Sequence, residues 1–402
     1  MNNIEKKLEK SVETCVEKYF KYNKGESVIK TNILDLIKEH ADDYSTYDHY
    51  YPYTVHWVLE SKCNLRCKHC LYLEYPDKYN PENNLSTRQA MDLIDEFFEM
   101  DILTLGLTGG ELFLREDIFE ILSKIKTRNI ALTLLTNATL ITPEIVAKLK
   151  KVLNTHIDRF QISLDGATAN THDQNRGKGA FDKSILGIKQ LVSAGFDVTL
   201  MCIPTSLNIQ ELTETYILAE ELGVKYLTFG RFKPFAQNQE YLVPDKNKLF
   251  EAMSDVINLD NKKEKSFLNV ATFTFYDLIS NEIASKFVQI YKFQKKGTDR
   301  TNIKYNCHHH DRLCLDRDGE VYMCTYAKDM NFASLGNVKE KTLKEIWYSR
   351  LDNILFQKRD IDKMSCKKCN YFQKDCHGGC PIDAYLKYSS INAPDKNCTV
   401  EI

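Results

Sequence analysis

The sequence lacks any apolar run approaching the roughly 20 residues that a membrane-spanning helix needs, so nothing in its 402 residues points to a bilayer. It also lacks a charge excess. Its 54 basic and 56 acidic residues leave a net charge of −2, which gives no footprint for nucleic acid or an anionic membrane surface. The opening MNNIEKKLEKSVETC is amphipathic and charged rather than signal-like, so the expected compartment is the cytoplasm. Low-complexity tracts and long repeats are missing too. Cysteine is scarce through most of the chain: between residues 71 and 306 there is only Cys202.

What cysteine there is lies at the edges of that gap. Of 13 cysteines, eight fall in the last hundred residues. In a reducing compartment such crowding reads as metal binding or catalysis rather than a disulfide framework.

From residue 53 short apolar runs alternate with helix-period segments. The runs are 53–60, 102–109, 130–137, 157–165, 196–204 and 224–230. Six such alternations with almost continuous apolar strands predict a parallel sheet covered by helices. Six units are too few for a closed eight-fold barrel. The expected fold is therefore α/β, a partial (β/α)6 TIM-like barrel with its chemistry at the carboxyl ends of the strands, followed by a small cysteine-rich iron–sulfur domain. Residues 1–50 read as a helical extension, 51–235 as the barrel, 236–305 as a bridge with helices at 245–260 and 275–294, and 306–402 as a unit stapled by metal.

Directly after the first strand, SKCNLRCKHC places Cys63, Cys67 and Cys70 in C-x3-C-x2-C spacing. Three thiolates can hold a 4Fe–4S cube with one iron left open, whereas closed clusters take four. The competing reading is a zinc knuckle completed by His69.

This motif at this place resembles the radical S-adenosylmethionine (SAM) superfamily, in which the open iron chelates SAM. Reductive cleavage there yields methionine and a 5′-deoxyadenosyl radical. The resemblance extends to Gly109, Gly110 and Glu111 at the second strand end, similar to the segment that approaches the methionine amine. Thr136 and Asn137 close the third strand as in relatives. Ser163 and Asp165 resemble residues holding the ribose or the methionyl carboxylate, and Arg176, in the following loop, would pair with that carboxylate.

The carboxy-terminal cysteines are similar to the SPASM domain of such enzymes. Cys307 and Cys324 give C-x11-G-x4-C around Gly319, read as a hairpin turn. Cys366, Cys369, Cys376 and Cys380 follow, then Cys398. One departure is six residues between Cys369 and Cys376 where the pattern has five. The resemblance implies two auxiliary 4Fe–4S clusters, one on Cys307, Cys314, Cys324 and Cys380, the other on Cys366, Cys369, Cys376 and Cys398. Paired zinc ribbons are the alternative.

Several residues invite a role but have a plainer reading. Cys202, on the fifth strand, would donate a hydrogen atom to a substrate radical if it faced the barrel interior; a small buried residue is the simpler view. Cys15 reads as packing, His308, His309 and His310 as a loop, and Tyr44, Tyr47, Tyr50, Tyr51 and Tyr53 as aromatic packing. Arg231 and Lys233 would grip substrate carboxylates or simply meet solvent.

The resemblance implies an oxidoreductase with three 4Fe–4S clusters and SAM, supplied with electrons by a donor such as flavodoxin or ferredoxin. The expected reaction is maturation of a ribosomally made peptide by a thioether or carbon–carbon cross-link. A sulfatase-type maturase is disfavoured, because Thr325 stands where those enzymes carry an Asp. Oxidation of a tetrapyrrole or aminoglycoside is a further alternative. Residues 1–50 are too short for a full leader-binding domain. A non-catalytic iron–sulfur electron carrier is the reading from another class; an open iron argues against it.

Overall fold

The computed structural model describes residues 52, 54–70, 80–234, 237–260, 262–263, 268–269, 312–328, 330–356, 359–369, 378–395 and 398. Expectations for 1–50, the 275–294 helix, the histidine triplet, Cys307 and Cys376 lie outside these.

The apolar runs form parallel strands in chain order: β1 (Thr54–Glu60), β2 (Thr104–Gly109), β3 (Ala131–Thr136), β4 (Arg159–Ser163), β5 (Asp197–Cys202) and β6 (Tyr226–Phe229). A two-residue β7 (Leu268–Asn269) adds to the β6 edge. Between them run α1 (Thr87–Glu99), α2 (Ile118–Ile125), α3 (Pro143–Val152), α4 (Ala169–Arg176), α5 (Ala180–Ser193) and α6 (Leu212–Glu221), with α7 (Lys246–Asp260) after β6. Local chemistry starts these helices where the sequence signals them. Ser86 and Gln89 form a reciprocal capping box on α1, and Thr142 caps α3 with Pro143 in its first turn.

The central strands β3, β4 and β5 alternate. On β3 and β5 every second residue is buried. The buried set shares one face across the sheet, as the pairings Trp57 with Leu107, Leu134 with Phe160 and Ile162 with Leu200 require. That face meets the helices: Trp57 stacks edge-on against Phe97 of α1 at 5.5 Å, within one continuous core. The opposite face carries His56, Thr133, Gln161, Ser163, Thr199 and Met201, all half-buried, and lines the concave side.

The sheet does not close. Its order runs β10-β9-β8-β1-β2-β3-β4-β5-β6-β7, an open barrel. Beyond the sequence expectation, the cysteine-rich region extends this sheet. Strand β8 (Arg312–Leu315) pairs parallel with β1, and His56 lies opposite Cys314. Strand β9 (Glu320–Tyr322) returns antiparallel, and β10 (Ser334–Asn337) follows. The turn between β8 and β9 needs Gly319, whose φ of 93° is open to glycine. Two short helices complete the region, α8 (Leu343–Ser349) and α9 (Pro381–Tyr388). A small second core gathers Cys314, Tyr322, Met323, Cys324 and Ile382. No helix among the described residues is long and apolar enough to cross a membrane.

Candidate functional site

The loop 61–70 leaves β1 at the carboxyl end of the sheet and is pinned from every side. Arg115 donates to Leu59 O at 2.7 Å and to Leu85 O at 3.0 Å. Lys68 N donates to Asn175 O, and Cys70 N to Cys67 O. Gly110 N donates to Glu60 O at 2.6 Å and Glu111 N to Lys62 O at 2.7 Å. This closeness explains the double glycine. A Cβ on Gly110 would stand 2.3 Å from Lys62 O, and one on Gly109 2.6 Å from Glu60 O. Both glycines therefore admit the thiol-bearing loop, a function the sequence reading gave to the approach of the methionine amine.

Glu111 is buried, and burial pushes its carboxyl above the usual range. Its oxygens accept from Thr136 Oγ1 at 2.7 Å and from Asn137 N at 2.9 Å. Asn137 Nδ2 donates to Asn64 Oδ1 at 3.0 Å, while Asn64 Nδ2 reaches Thr139 Oγ1 at 2.8 Å. These two expected cofactor residues are thus fasteners: they tie β2, β3 and the loop between Cys63 and Cys67 together. Ser163 lies half-buried at the end of β4.

Asp165 is fully enclosed. Its Oδ1 accepts from Ile203 N at 2.9 Å; its Oδ2 accepts from Asn175 Nδ2 at 2.7 Å and Arg176 Nε at 2.6 Å, and lies 3.3 Å from His69 Nε2. Burial pushes this carboxyl up, but Arg176 and His69 outweigh it and hold it far below the usual carboxylate range. Arg176 does not sit in a loop as expected. It ends α4, a helix whose buried face is polar (Thr171, His172, Asn175, Arg176). Its Nη1 lies 3.8 Å from Cys67 Sγ. Asp165 and Arg176 thus pair with each other, and the same guanidinium reaches toward Cys67. His172 beside it accepts from Asp165 N, and burial lowers its pKa to about 4.

Cys63, Cys67 and Cys70 all stand on this one loop and are in no disulfide. Yet no group of three His, Cys, Asp or Glu side chains among the described residues is arranged to hold a metal ion. A zinc knuckle would close four donors on one ion; three thiols around a wider space suit a cluster ligated corner by corner. His69, the knuckle's fourth donor, is instead engaged by Asp165. Burial pushes the Cys67 thiol up to about 12, with Arg176 pulling the other way, so the thiol ionises when a metal binds.

In the carboxy-terminal region Cys314 and Cys324 belong to the second core, and Cys380 packs against it. Cys380 N donates to Asp395 Oδ2 at 3.0 Å and Cys398 N to Asp395 O. Arg359, which nothing in the sequence signalled, is 1% exposed and donates to Gly378 O, Gly379 O and Ile391 O. It holds the segments carrying Cys380 and Cys398 side by side.

Two calculated suspicions resolve differently. Cys202 is buried on the Leu200 face, while Ser163 pairs with Met201 on the other. Its sulfur meets Asn208 Nδ2 at 3.7 Å, so it packs against the helix layer and does not face the concave side. Lys233 is largely buried and pairs with Asp383.

Comparison with known proteins agrees with this geometry. Residues 58–219 match the model of the radical SAM superfamily, and residues 307–370 that of the SPASM iron–sulfur cluster-binding domain. The chain is 30% identical to an AdoMet-dependent heme synthase of Methanosarcina barkeri, over 83% of this chain and 92% of that one. It is 28% identical to the mycofactocin maturase MftC of Mycolicibacterium smegmatis, over 86% and 82%. In fold it resembles SuiB of Streptococcus suis, with a TM-score of 0.69 at 17% identity over 93% and 84% of the two chains. It also resembles anSMEcpe with bound AdoMet, with a TM-score of 0.65 at 18% identity over 86% and 90%. An open parallel barrel with a three-thiol loop after β1, continued by a cysteine-rich unit, thus has its place: the chain belongs to the radical SAM superfamily and carries a SPASM domain.

Proposed function

We infer that this enzyme takes a hydrogen atom from a peptide and matures it by a thioether or carbon–carbon cross-link. The observation that carries the radical step is the placement of Cys63, Cys67 and Cys70 on the loop at the end of β1, with Arg176 Nη1 3.8 Å from Cys67 Sγ. The peptide reading is supported by likeness to MftC, a maturase by name, and to SuiB, which has been seen bound to its precursor peptide SuiA. Cys63, Cys67 and Cys70 would hold a 4Fe–4S cluster that, with SAM bound and an electron from a flavodoxin- or ferredoxin-like donor, would supply the hydrogen-abstracting chemistry. The chain's own part is positional. Gly109 and Gly110 seat the loop, Glu111 and Asn137 lock it to β2 and β3, and Ser163 presents a hydroxyl at the concave rim. Two further clusters would sit on the SPASM cysteines, one on Cys307, Cys314, Cys324 and Cys380, the other on Cys366, Cys369, Cys376 and Cys398.

A second reading has its own support: the similarity to AdoMet-dependent heme synthases favours a tetrapyrrole. One anaerobic experiment separates the two. Reduced, reconstituted protein is given SAM with either a short peptide encoded beside its gene or an iron tetrapyrrole. 5′-Deoxyadenosine together with a peptide that has lost two hydrogens supports maturation. Product only from the tetrapyrrole replaces that reading, and no deoxyadenosine under any condition refutes the enzyme.

A further inference from the structure

After β6 a short 3₁₀ helix, Gln237–Leu242, lies at the carboxyl ends of the strands. Asn238, Glu240 and Tyr241 are exposed, whereas Gln239 and Leu242 are buried, at 1% and 0% exposure. Residues three apart share a face of such a helix, so these two point inward together. The Leu242 end is moored to the loop after β5. Ser206 N donates to Leu242 O at 2.9 Å and Ser206 Oγ to Tyr241 O at 2.7 Å. Gln239 reaches the other way. Its Nε2 donates at 3.2 Å to the carbonyl oxygen of Lys68, 171 residues earlier and between Cys67 and Cys70.

Burying an amide costs free energy unless it is hydrogen-bonded, and an apolar side chain would fill the place without that cost. The carbonyl it meets is a pivotal one. Cys70 N donates to Cys67 O at 3.0 Å, which closes a β-turn with Lys68 and His69 at its centre. Type I and type II turns differ by rotation of the central peptide, here the one joining Lys68 to His69. His69 does not have the positive φ that type II requires. The bond from Cys70 spans the turn but does not touch that central peptide. Lys68 N is held by Asn175 O at 2.9 Å, and Lys68 O by Gln239, so the peptides on its two sides are fixed by different elements. A peptide plane carries its C=O and N–H in opposite directions. Gln239 therefore sets which side of the turn carries the Lys68 carbonyl and which the His69 N–H.

We propose that Gln239 is a positioning residue that locks the central peptide of the Cys67–Cys70 turn, keeping the three-cysteine loop in the geometry in which it retains a cluster. The part that concerns the cluster rests on Cys63, Cys67 and Cys70 being its ligands. Seating of the loop after the first strand thus depends on a segment that follows the sixth.

The test uses full-length, anaerobically reconstituted protein and reads amide hydrogen exchange by mass spectrometry. Gln239→Met keeps the volume but removes the donor. It is expected to speed exchange of residues 61–70 about tenfold, the effect of losing one hydrogen bond, with the segments of β3 and β4 unchanged. Gln239→Glu, of equal shape, turns an acceptor toward the carbonyl and is expected to speed exchange at least as much. Chelator-driven release of the triad's iron, defined as the iron missing when Cys63, Cys67 and Cys70 are all changed to Ala, should quicken too. A packing role predicts parental exchange and iron release in Gln239→Met, and that result overturns the proposal. So does an equal acceleration across the whole barrel, or faster exchange at 61–70 with parental iron release. If Gln239→Met does not fold, Ser206→Ala decides, because it loosens the 3₁₀ helix without altering Gln239 or the cysteine loop. Faster exchange at 61–70 then supports the proposal, and parental exchange overturns it. A parent protein that binds no more iron than the triple Ala variant refutes the triad assignment instead, and exchange at 61–70 alone then decides the locking of the turn.

Discussion

Arg176 Nε lies 2.6 Å from Asp165 Oδ2 while its Nη1 lies 3.8 Å from Cys67 Sγ, so one guanidinium joins the end of β4 to the thiol-bearing loop. Asp165 is 0% exposed. Arg176→Met leaves that carboxylate buried without its main cation, and the expected cost is about 3–5 kcal/mol. Chemical denaturation of the variant measures it. Arg176→Lys keeps the charge but loses the fork. It is expected to recover part of the stability and to bind the triad cluster less fully, read as iron per chain.

The neutral His172 makes stability depend on pH. Its folded pKa of about 4 lies below the unfolded value of about 6.5, so the unfolded chain binds the extra proton between those limits. Its contribution is full above about pH 6.5 and is lost as pH falls toward about 4, by about 3 kcal/mol across the window. Asp165 works in a lower range: its depressed pKa gives stability that is complete above about pH 4 and lost only in stronger acid. His172→Gln is therefore expected to flatten the decline between about pH 6.5 and about pH 4. Equal slopes for variant and parent in denaturation curves would remove His172 as the cause.

Gly110→Ala forces a methyl group against Lys62 O, 2.3 Å from the ideal Cβ position. The carbonyl is backbone and has no flexible end to swing away, so the loop must lift. The expected outcome is a folded protein by circular dichroism, with destabilisation of about 1–3 kcal/mol. Cluster incorporation at Cys63, Cys67 and Cys70 should be impaired, and deoxyadenosine formation with it. Undiminished deoxyadenosine formation would show that the loop need not seat on β2.

Cys202→Ala should behave as a core substitution. The thiol lies with Leu200 against the helices, and its loss is expected to cost about 1 kcal/mol while deoxyadenosine and final product form at parental rates. A variant that cleaves SAM yet releases only unquenched or oxidised substrate would restore the hydrogen-donor role.

Short apolar runs between helix-period segments were enough to place β1 through β6 to within two residues or so, because strands of a helix-covered parallel sheet read as nearly continuous apolar stretches. The cysteine spacings likewise pointed to the two matched families, whose models cover residues 58–219 and 307–370. Helix α4 escaped because its inward face is Thr171, His172, Asn175 and Arg176, and a search for apolar periodicity cannot register a polar interior. That same omission misplaced Arg176 in a loop and left Asp165 facing the cofactor. Strand β8 is only RLCL, and its partner lies some 250 residues earlier, so no local signal announces the pairing. The Lys233–Asp383 contact is of the same long-range kind.

The pairing of β8 with β1 has a geometric consequence. Adjacent strands stand about 4.8 Å apart, so the ladder that sets His56 opposite Cys314 acts as a ruler between the three-cysteine loop above β1 and Cys314, proposed above as an auxiliary-cluster ligand. A hinge would let that separation drift from one turnover to the next. A hydrogen-bonded register admits only discrete steps, and a slip of a single residue would turn Cys314 to the opposite face. The spacing between the two cysteine sites is thereby written into strand alignment.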